Sequence, residues 1–279
     1  MSACQIRDLD DLAAAIPDGA KLAVSADYSG PAMAATRALI RRRVRNLHLV
    51  CVPVSGLQAE LLIGAGAVDV IETSAVTLGE YGAAPRFVAA VRRGKITLKD
   101  ATCPAIHAAL QAAAKGLPFM PLRGILGSDL LKHRPDWKVI ENPFAPGDSG
   151  GDPIVALPAI KPDVALFHAP LADRDGNVFI GRHRELMTMA HAATQTLITV
   201  EEISETNLLE DERFAAGVIP ALYISGVVEA RSGAWPLGLW NAYGEDEAFL
   251  RRYVAAAKTD AGFADVLARW LGEPAMAAE

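Results

Sequence analysis

The sequence predicts an α/β protein: an open, mainly parallel sheet with helices on both faces. Two observations carry this. Short β-like runs alternate with longer runs of helical spacing from Lys21 to Glu72, the rhythm of a doubly wound sheet. The first three β-like runs also end in small, polar turns. Strands of a parallel sheet end on one edge, so these turns converge there.

The elements follow in order. Lys21 to Ala26 is the first strand. Pro31 to Arg43 is a helix with Pro in its first turn, where the missing N–H costs nothing. Leu47 to Val52 (LHLVCV) is the second strand. Leu57 to Ile63 is a helix ended by the glycines of GAGA, and Val68 to Glu72 (VDVIE) is the third strand. Pro85 to Arg93 reads as helical, and Lys95 to Leu98 as short and β-like. Pro104 to Lys115 is a firmer helix, with Ile106, Ala109, Leu110 and Ala113 on one face and Gly116 as its stop.

Residues 142–153 (NPFAPGDSGGDP) form a flexible loop on composition. Strands are expected at Ile154–Leu157, Val164–His168, Val178–Ile180, Thr196–Glu201 and Ala221–Val228. A helix is expected from Glu185 to Ala193, and two more between Asp246 and Leu271. Neither an internal repeat nor a second domain is visible, so residues 1–279 read as one domain.

Composition narrows the function. The chain has 279 residues, of which 51% are hydrophobic and 22% charged. That is enough for one large α/β core. Its net charge of −6 and pI near 5.6 imply no basic surface and no nucleic acid partner. No apolar run reaches a membrane-spanning length of about 18 residues. The acidic start MSACQIRDLDDL is no signal peptide. Cys4, Cys51 and Cys103 form no CxxC pair, which fits a reducing cytoplasm and no structural zinc.

The convergent turns are Ser25-Ala26-Asp27, Pro53-Val54-Ser55-Gly56 and Thr73-Ser74. Such turns present backbone N–H groups and helix N-termini to anionic or carbonyl oxygens. They serve equally as plain connections. The turn SADYSG (Ser25 to Gly30) is no dinucleotide fingerprint: only Gly30 is glycine, and Asp27 repels a pyrophosphate. GxxxxGK[ST] is absent too.

Other features have bland readings. Asp175-Gly176-Asn177 is a hairpin turn, and Asp173 with Arg174 is read as a surface ion pair. Arg41, Arg42, Arg43 and Arg45 form a solvated helix end. Cys103 and His107 have thiolate–base spacing, but a capping or buried role is favoured for Cys103. His183 and His191 flank a helix without a metal motif, so no metal is assigned.

Longer stretches resemble a known family. They are GLPFMPLRGILGSDL (Gly116 to Leu130), LPAIKPDVALFHAPLADRDGNV (Leu157 to Val178), LITVEEI (Leu197 to Ile203) and GVVEARSGAWP (Gly226 to Pro236). In this order they resemble the A (alpha) subunit of family I CoA transferases. The pattern is nearest to the A-type chain of the glutaconate CoA-transferases. The resemblance covers nearly the whole chain. It implies the fold shared by CoA transferases and ribose-5-phosphate isomerases. It implies CoA as substrate, no permanently bound cofactor, and a partner B (beta) subunit in an α2β2 assembly.

The catalytic glutamate of the family lies on the B subunit. It passes through a mixed anhydride to a glutamyl-CoA thioester, so none is expected in this chain. The A chain then shapes the acyl pocket and stabilises the oxyanion.

The family writes GGF where this chain has Ser25, Ala26 and Asp27. Gly-to-Ser or Gly-to-Ala keeps a backbone role only if φ is negative there. The departure keeps an alternative open: a related ring-opening hydrolase or decarboxylase of acyl-CoA. The hydrolase branch's glutamate has no counterpart at Ala101-Thr102-Cys103-Pro104, and Glu205 is read as a surface residue. Substrate-binding candidates are therefore Ser25, Ala26, Asp27, Ser55, Ser74, Tyr81 and Arg86. Arg86 would pair a substrate carboxylate or a structural partner. Arg123, Ser128 and Asp129 are candidates for the rim or the partner interface.

Overall fold

The computed structural model describes residues 6–147 and 151–272. Cys4 and the middle of the 142–153 loop lie outside the described residues.

The first half builds the parallel sheet. Its strands are β1 (Lys21–Ser25), β2 (Leu47–Val52), β3 (Val68–Thr73) and β4 (Thr97–Asp100). Between them run α2 (Met33–Arg42), α3 (Leu57–Gly64) and α4 (Pro85–Arg92), and α1 (Leu9–Ala14) precedes β1. Then come α5 (Cys103–Ala114), β5 (Phe119–Leu122), α6 (Leu130–His133), β6 (Lys138–Glu141) and β7 (Pro153–Pro158). The chain returns to the large sheet with β8 (Val164–Asp173), β9 (Val178–Phe179), α7 (Arg184–Ala192) and β10 (Gln195–Ser204). It ends with β11 (Val218–Ile219), β12 (Gly226–Glu229), α8 (Glu247–Ala256) and α9 (Asp260–Gly272).

Among the described residues, seven parallel strands run in the order β12-β10-β8-β1-β2-β3-β4. β9 and β11 add an antiparallel flank beyond the far end of β8. β5, β7 and β6 form a separate antiparallel sheet.

Central strands are apolar on both faces, as parallel sheets require. Leu22 and Val24 of β1, and Leu47, Leu49 and Cys51 of β2, face one core with α1–α3, α8 and α9. Ala23, Val50 and Val52 face the other, with α5, α7 and β7. Period-two alternation thus divides two helical layers across one sheet. No helix of the described residues is long and apolar enough to cross a membrane.

Several boundaries differ from expectation. Pro31 stands before α2 rather than inside it: Ala32 is the N-cap, and the Pro31 carbonyl accepts from Met33 N at 2.9 Å. β8 and β10 run far beyond His168 and Glu201. The expected strand at Ala221–Val228 splits into a 3₁₀ turn (Ala221–Tyr223) and β12. Asp173 is buried, not a surface ion-pair partner. It accepts from the N–H groups of Asp175, Asn177 and Leu208 at 2.9–3.0 Å and pins the hairpin after β8. Arg174 pairs instead with Glu205 on the surface.

Candidate active site

The turns after β1, β2 and β3 do meet on one edge. Ser55 N donates to Ala75 O at 3.2 Å, and Thr77 N to Ser55 O at 3.1 Å, stitching the second turn to the third. The first turn is fixed to β8. His168 N donates to Gly30 O at 2.7 Å. Gly30 has φ +66°, and a Cβ there would lie 2.0 Å from the His168 carbonyl oxygen. Only glycine fits this approach.

Ser25 and Ala26 are buried in this turn rather than presented to a ligand. Ser25 Oγ donates to Gly30 O at 3.1 Å, and Ala26 O accepts from Ser29 N at 2.9 Å.

Asp27 does reach the edge. Its two carboxylate oxygens accept from Leu57 N at 3.1 and 3.0 Å, so it caps α3 from another segment. Gly56 makes room: a Cβ there would sit 2.0 Å from Asp27 Oδ2. Asp27 is half-buried, densely surrounded by protein and on the wall of an adjoining cavity. Burial therefore pushes its carboxyl up to about 7, against the pull of the Leu57 and Gly56 N–H groups. The charge of Glu245 adds to the rise.

That cavity measures about 760 Å³, within the range of small-molecule sites. Asp27, Ser55, Tyr81, Trp240, Tyr243 and Glu245 are on its wall. Ser55 is buried, and its Oγ has no hydrogen-bond partner. Tyr81 donates to Glu245, and that hydrogen bond holds the phenol up at about 12.

Tyr243 is held from behind by a network the sequence reading missed. Its hydroxyl donates to Glu201 at 2.7 Å and accepts from Ala234 N at 3.0 Å. Glu201 also accepts from Ser232 N at 2.7 Å, Gly233 N at 3.0 Å and His168 Nε2 at 2.7 Å. His168 Nδ1 lies 2.8 Å from Thr199 Oγ1. An ionised Glu201 only accepts, so a neutral His168 carries its proton on Nε2 and takes one from Thr199. Burial works to raise the Glu201 carboxyl, but His168 and Tyr243 outweigh it and hold it below its ordinary value. Burial and Glu201 hold the Tyr243 phenol far up. His168, Glu201 and Ser232-Gly233 come from three separate sequence motifs. The β8–β10 register brings the first two together, and the turn after β12 supplies the third.

A second cluster lines the rim beside Tyr28. Ser29 Oγ lies 2.9 Å from His183 Nδ1, and Glu185 Oε1 lies 3.1 Å from the same nitrogen. Ser29 also donates to Glu185. A Ser–His–carboxylate relay needs both ring nitrogens. Here one serves twice, and Nε2 is buried without a partner. Ser29 is thus held, not activated.

Ser74 Oγ donates to Pro53 O at 2.8 Å and lies 3.2 Å from the exposed thiol of Cys103. Thr102 caps α5 and Cys103 is its first residue. Among the described residues no hydrogen bond joins Cys103 to His107, so the thiolate–base pairing does not form. Burial lowers the His107 imidazole, opposed by the charge of Glu185.

Arg86 does not reach the cavity. Its guanidinium pairs with Asp260, donates to Ala257 O at 3.3 Å, and lies over the Phe263 ring at 5.0 Å. It ties α4 to α9, which is the structural alternative. Arg123 pairs with Asp152 and closes the loop after β6. Ser128 Oγ donates to Ile125 O at 2.7 Å, and exposed Asp129 pairs with Lys132 at 2.6 Å.

Comparison with known proteins places this architecture. A family model described as Coenzyme A transferase matches residues 6–230. The chain belongs to the coenzyme A transferase family.

The A-type chain of glutaconate CoA-transferase from Acidaminococcus fermentans is 33% identical over 76% of this chain and 70% of its own length. In the crystal structure of that enzyme the matching chain superposes with a TM-score of 0.84 at 28% identity, covering 95% of this chain and 87% of that one. The cholesterol ring-cleaving hydrolase IpdA subunit of Rhodococcus jostii is 31% identical over 86% of this chain and 82% of its own. A chain of a variant of the decarboxylase AibA/AibB gives a TM-score of 0.82 at 30% identity, covering 95% of this chain and 97% of that one. The family therefore holds transferase, hydrolase and decarboxylase relatives of this chain. The glutaconate and IpdA relatives are each one chain of a larger enzyme.

Proposed function

We propose that this chain is the A (alpha) half of a two-subunit enzyme that moves CoA between an acyl-CoA and a carboxylic acid. The partner B subunit supplies the glutamate. Its carboxylate attacks the thioester carbonyl and expels CoA thiolate, leaving a mixed anhydride. The thiolate then attacks the glutamyl carbonyl, releasing the first acid and leaving a glutamyl-CoA thioester. The second acid takes the CoA by the same steps in reverse. CoA is substrate, and no resident cofactor is required. The assembly is α2β2 and cytoplasmic.

The observation that carries this reading is the rim. It has convergent backbone turns and a cavity, but its Ser29–His183 contact cannot relay a proton. A chain built this way shapes and holds an acyl group while another chain reacts. Asp27, Ser55 and Tyr81 are its substrate-facing residues. Ser25 and Ala26 hold the turn, and Ser74 ties the third turn to the second through the Pro53 carbonyl. Arg123 braces the loop after β6 through Asp152, and Ser128 and Asp129 stand with it on the rim toward the partner.

The hydrolase and decarboxylase relatives give a second reading: hydrolysis with ring opening, or loss of CO2, on the same scaffold. The unusual Asp27 at the reacting edge favours it. Initial-rate kinetics on the complex with its B partner separate the two. Parallel double-reciprocal lines for acyl-CoA and acceptor acid are expected of the transferase. A ring-opened acyl-CoA carrying a new carboxylate, or CO2, formed without an acceptor acid belongs to the second reading.

A further inference from the structure

We propose that the cavity beside Asp27 receives the acyl tail, and that this tail is neutral and mostly apolar, without a second carboxylate. The proposal rests on the reading of the chain as the alpha half of a CoA transferase.

The charges on the wall are all of one sign among the described residues. Asp27, Glu80 and Glu245 are there, with no lysine, arginine or histidine. Arg251 lies behind the wall, 5.4 Å from the centre of the Tyr81 ring and paired with Glu247 at 3.2 Å. Arg251 is not part of the wall. His183 stacks on Trp240 but is not on the wall either, and its Nδ1 is taken by Ser29 and Glu185. A tail carboxylate would enter with no cation on the wall to pair with, facing the carboxylates of Glu80 and Glu245 and the Asp27 carboxyl.

One set of donors suited to an anion, the Gly56 and Leu57 N–H groups, is already in use. The N–H groups at the start of α3 point to this edge, and Asp27 occupies them. A second carboxylate cannot bind there without displacing the protein's own.

What the wall offers instead suits a neutral tail. Leu78, Leu237, Leu239, Trp240 and Leu250 supply apolar surface. Ser55 supplies one hydroxyl, buried and unpartnered, which can donate to or accept from a carbonyl or hydroxyl on the tail. Glutaconate, named for the A. fermentans relative, is by contrast a dicarboxylate.

The test is equilibrium binding of hexanoyl-CoA and adipyl-CoA to the co-purified complex. These esters share a chain length and differ only in a terminal carboxylate. Hexanoyl-CoA is expected to bind at least about tenfold more tightly, the effect of one like-charge contact in a partly desolvated site. Glu245→Arg, an exposed position, is expected to shrink that ratio at least about threefold. Equal or tighter binding of adipyl-CoA overturns the proposal, and so does a ratio unmoved by Glu245→Arg. If neither ester binds, the CoA-transferase reading falls with it. Binding that favours adipyl-CoA removes this proposal alone.

Discussion

Replacing Asp27 with asparagine should stabilise the protein, and increasingly so as pH rises. Asn keeps the size of the side chain and an oxygen to accept from Leu57 N, but never ionises. The Asp27 carboxyl is raised from 3.8 to about 7 in the fold, chiefly by burial. Between those values the folded state holds a proton that the unfolded state has lost. Stability therefore falls as pH rises from about 4 to about 7, and is flat above. At ~1.4 kcal/mol for each tenfold change, the full penalty is ~4 kcal/mol, with ~2.5 kcal/mol appearing between pH 5 and 8.

Water reaching the carboxylate through the cavity screens it, so about 1–2 kcal/mol is the working figure. For a protein of this size that is about 2–8 °C in Tm. The assay is thermal unfolding of the wild-type and Asp27→Asn complexes at pH 5 and pH 8. The advantage of the variant should widen by that amount at the higher pH. A difference that stays constant, or narrows, would refute the burial of an ionisable carboxyl at this edge.

Three further outcomes follow from the same geometry. Gly30→Ala should abolish soluble expression or cost more than about 3 kcal/mol in chemical denaturation, since its Cβ meets the His168 carbonyl oxygen at 2.0 Å in a left-handed backbone. Tyr243→Phe removes the acceptor for Ala234 N and a donor to Glu201, so urea unfolding should show a loss of about 1–3 kcal/mol. Ser29→Ala should leave kcat within about threefold of wild type, because the Ser29–His183 contact cannot relay a proton. A fall of about 10³-fold or more would restore Ser29 as a nucleophile.

The parallel half of the fold is legible because its strands are buried on both faces. LHLVCV and VDVIE show this as short runs dominated by Leu, Val and Ile between small turns, with His48, Asp69 and Glu72 as the polar exceptions. The second sheet is not legible. β6 is exposed throughout, and Pro121 interrupts β5, so neither carries a strand pattern of its own. They exist because β7 pairs with both. The length of β8 was hidden by Pro170, which lacks a donor and reads as a strand end. The ladder with β10 steps over it, resuming from Ala169↔Val200 to Leu171↔Glu202.

The site divides the same way. Asp27 stands out locally, as a carboxylate where backbone groups are expected. Its role depends on Leu57 N, 30 residues on. Glu201 and His168 were visible only as letters within motifs. Strand register, which a single sequence does not display, makes them one network. Arg86 shows the reverse case: the sequence left it between a substrate carboxylate and a structural partner, and only the fold reveals that partner as Asp260 on the C-terminal helix.

The central claim is that this chain holds the acyl group while a partner's glutamate reacts. Mass spectrometry of both subunits tests it most directly, after acyl-CoA is added to the co-expressed complex and trapped with borohydride or hydroxylamine. The account predicts one modified glutamate on the B chain, with this chain left unmodified. A modification on this chain, at Ser29 or Cys103, or no modification while free acid or CO2 accumulates, would contradict it.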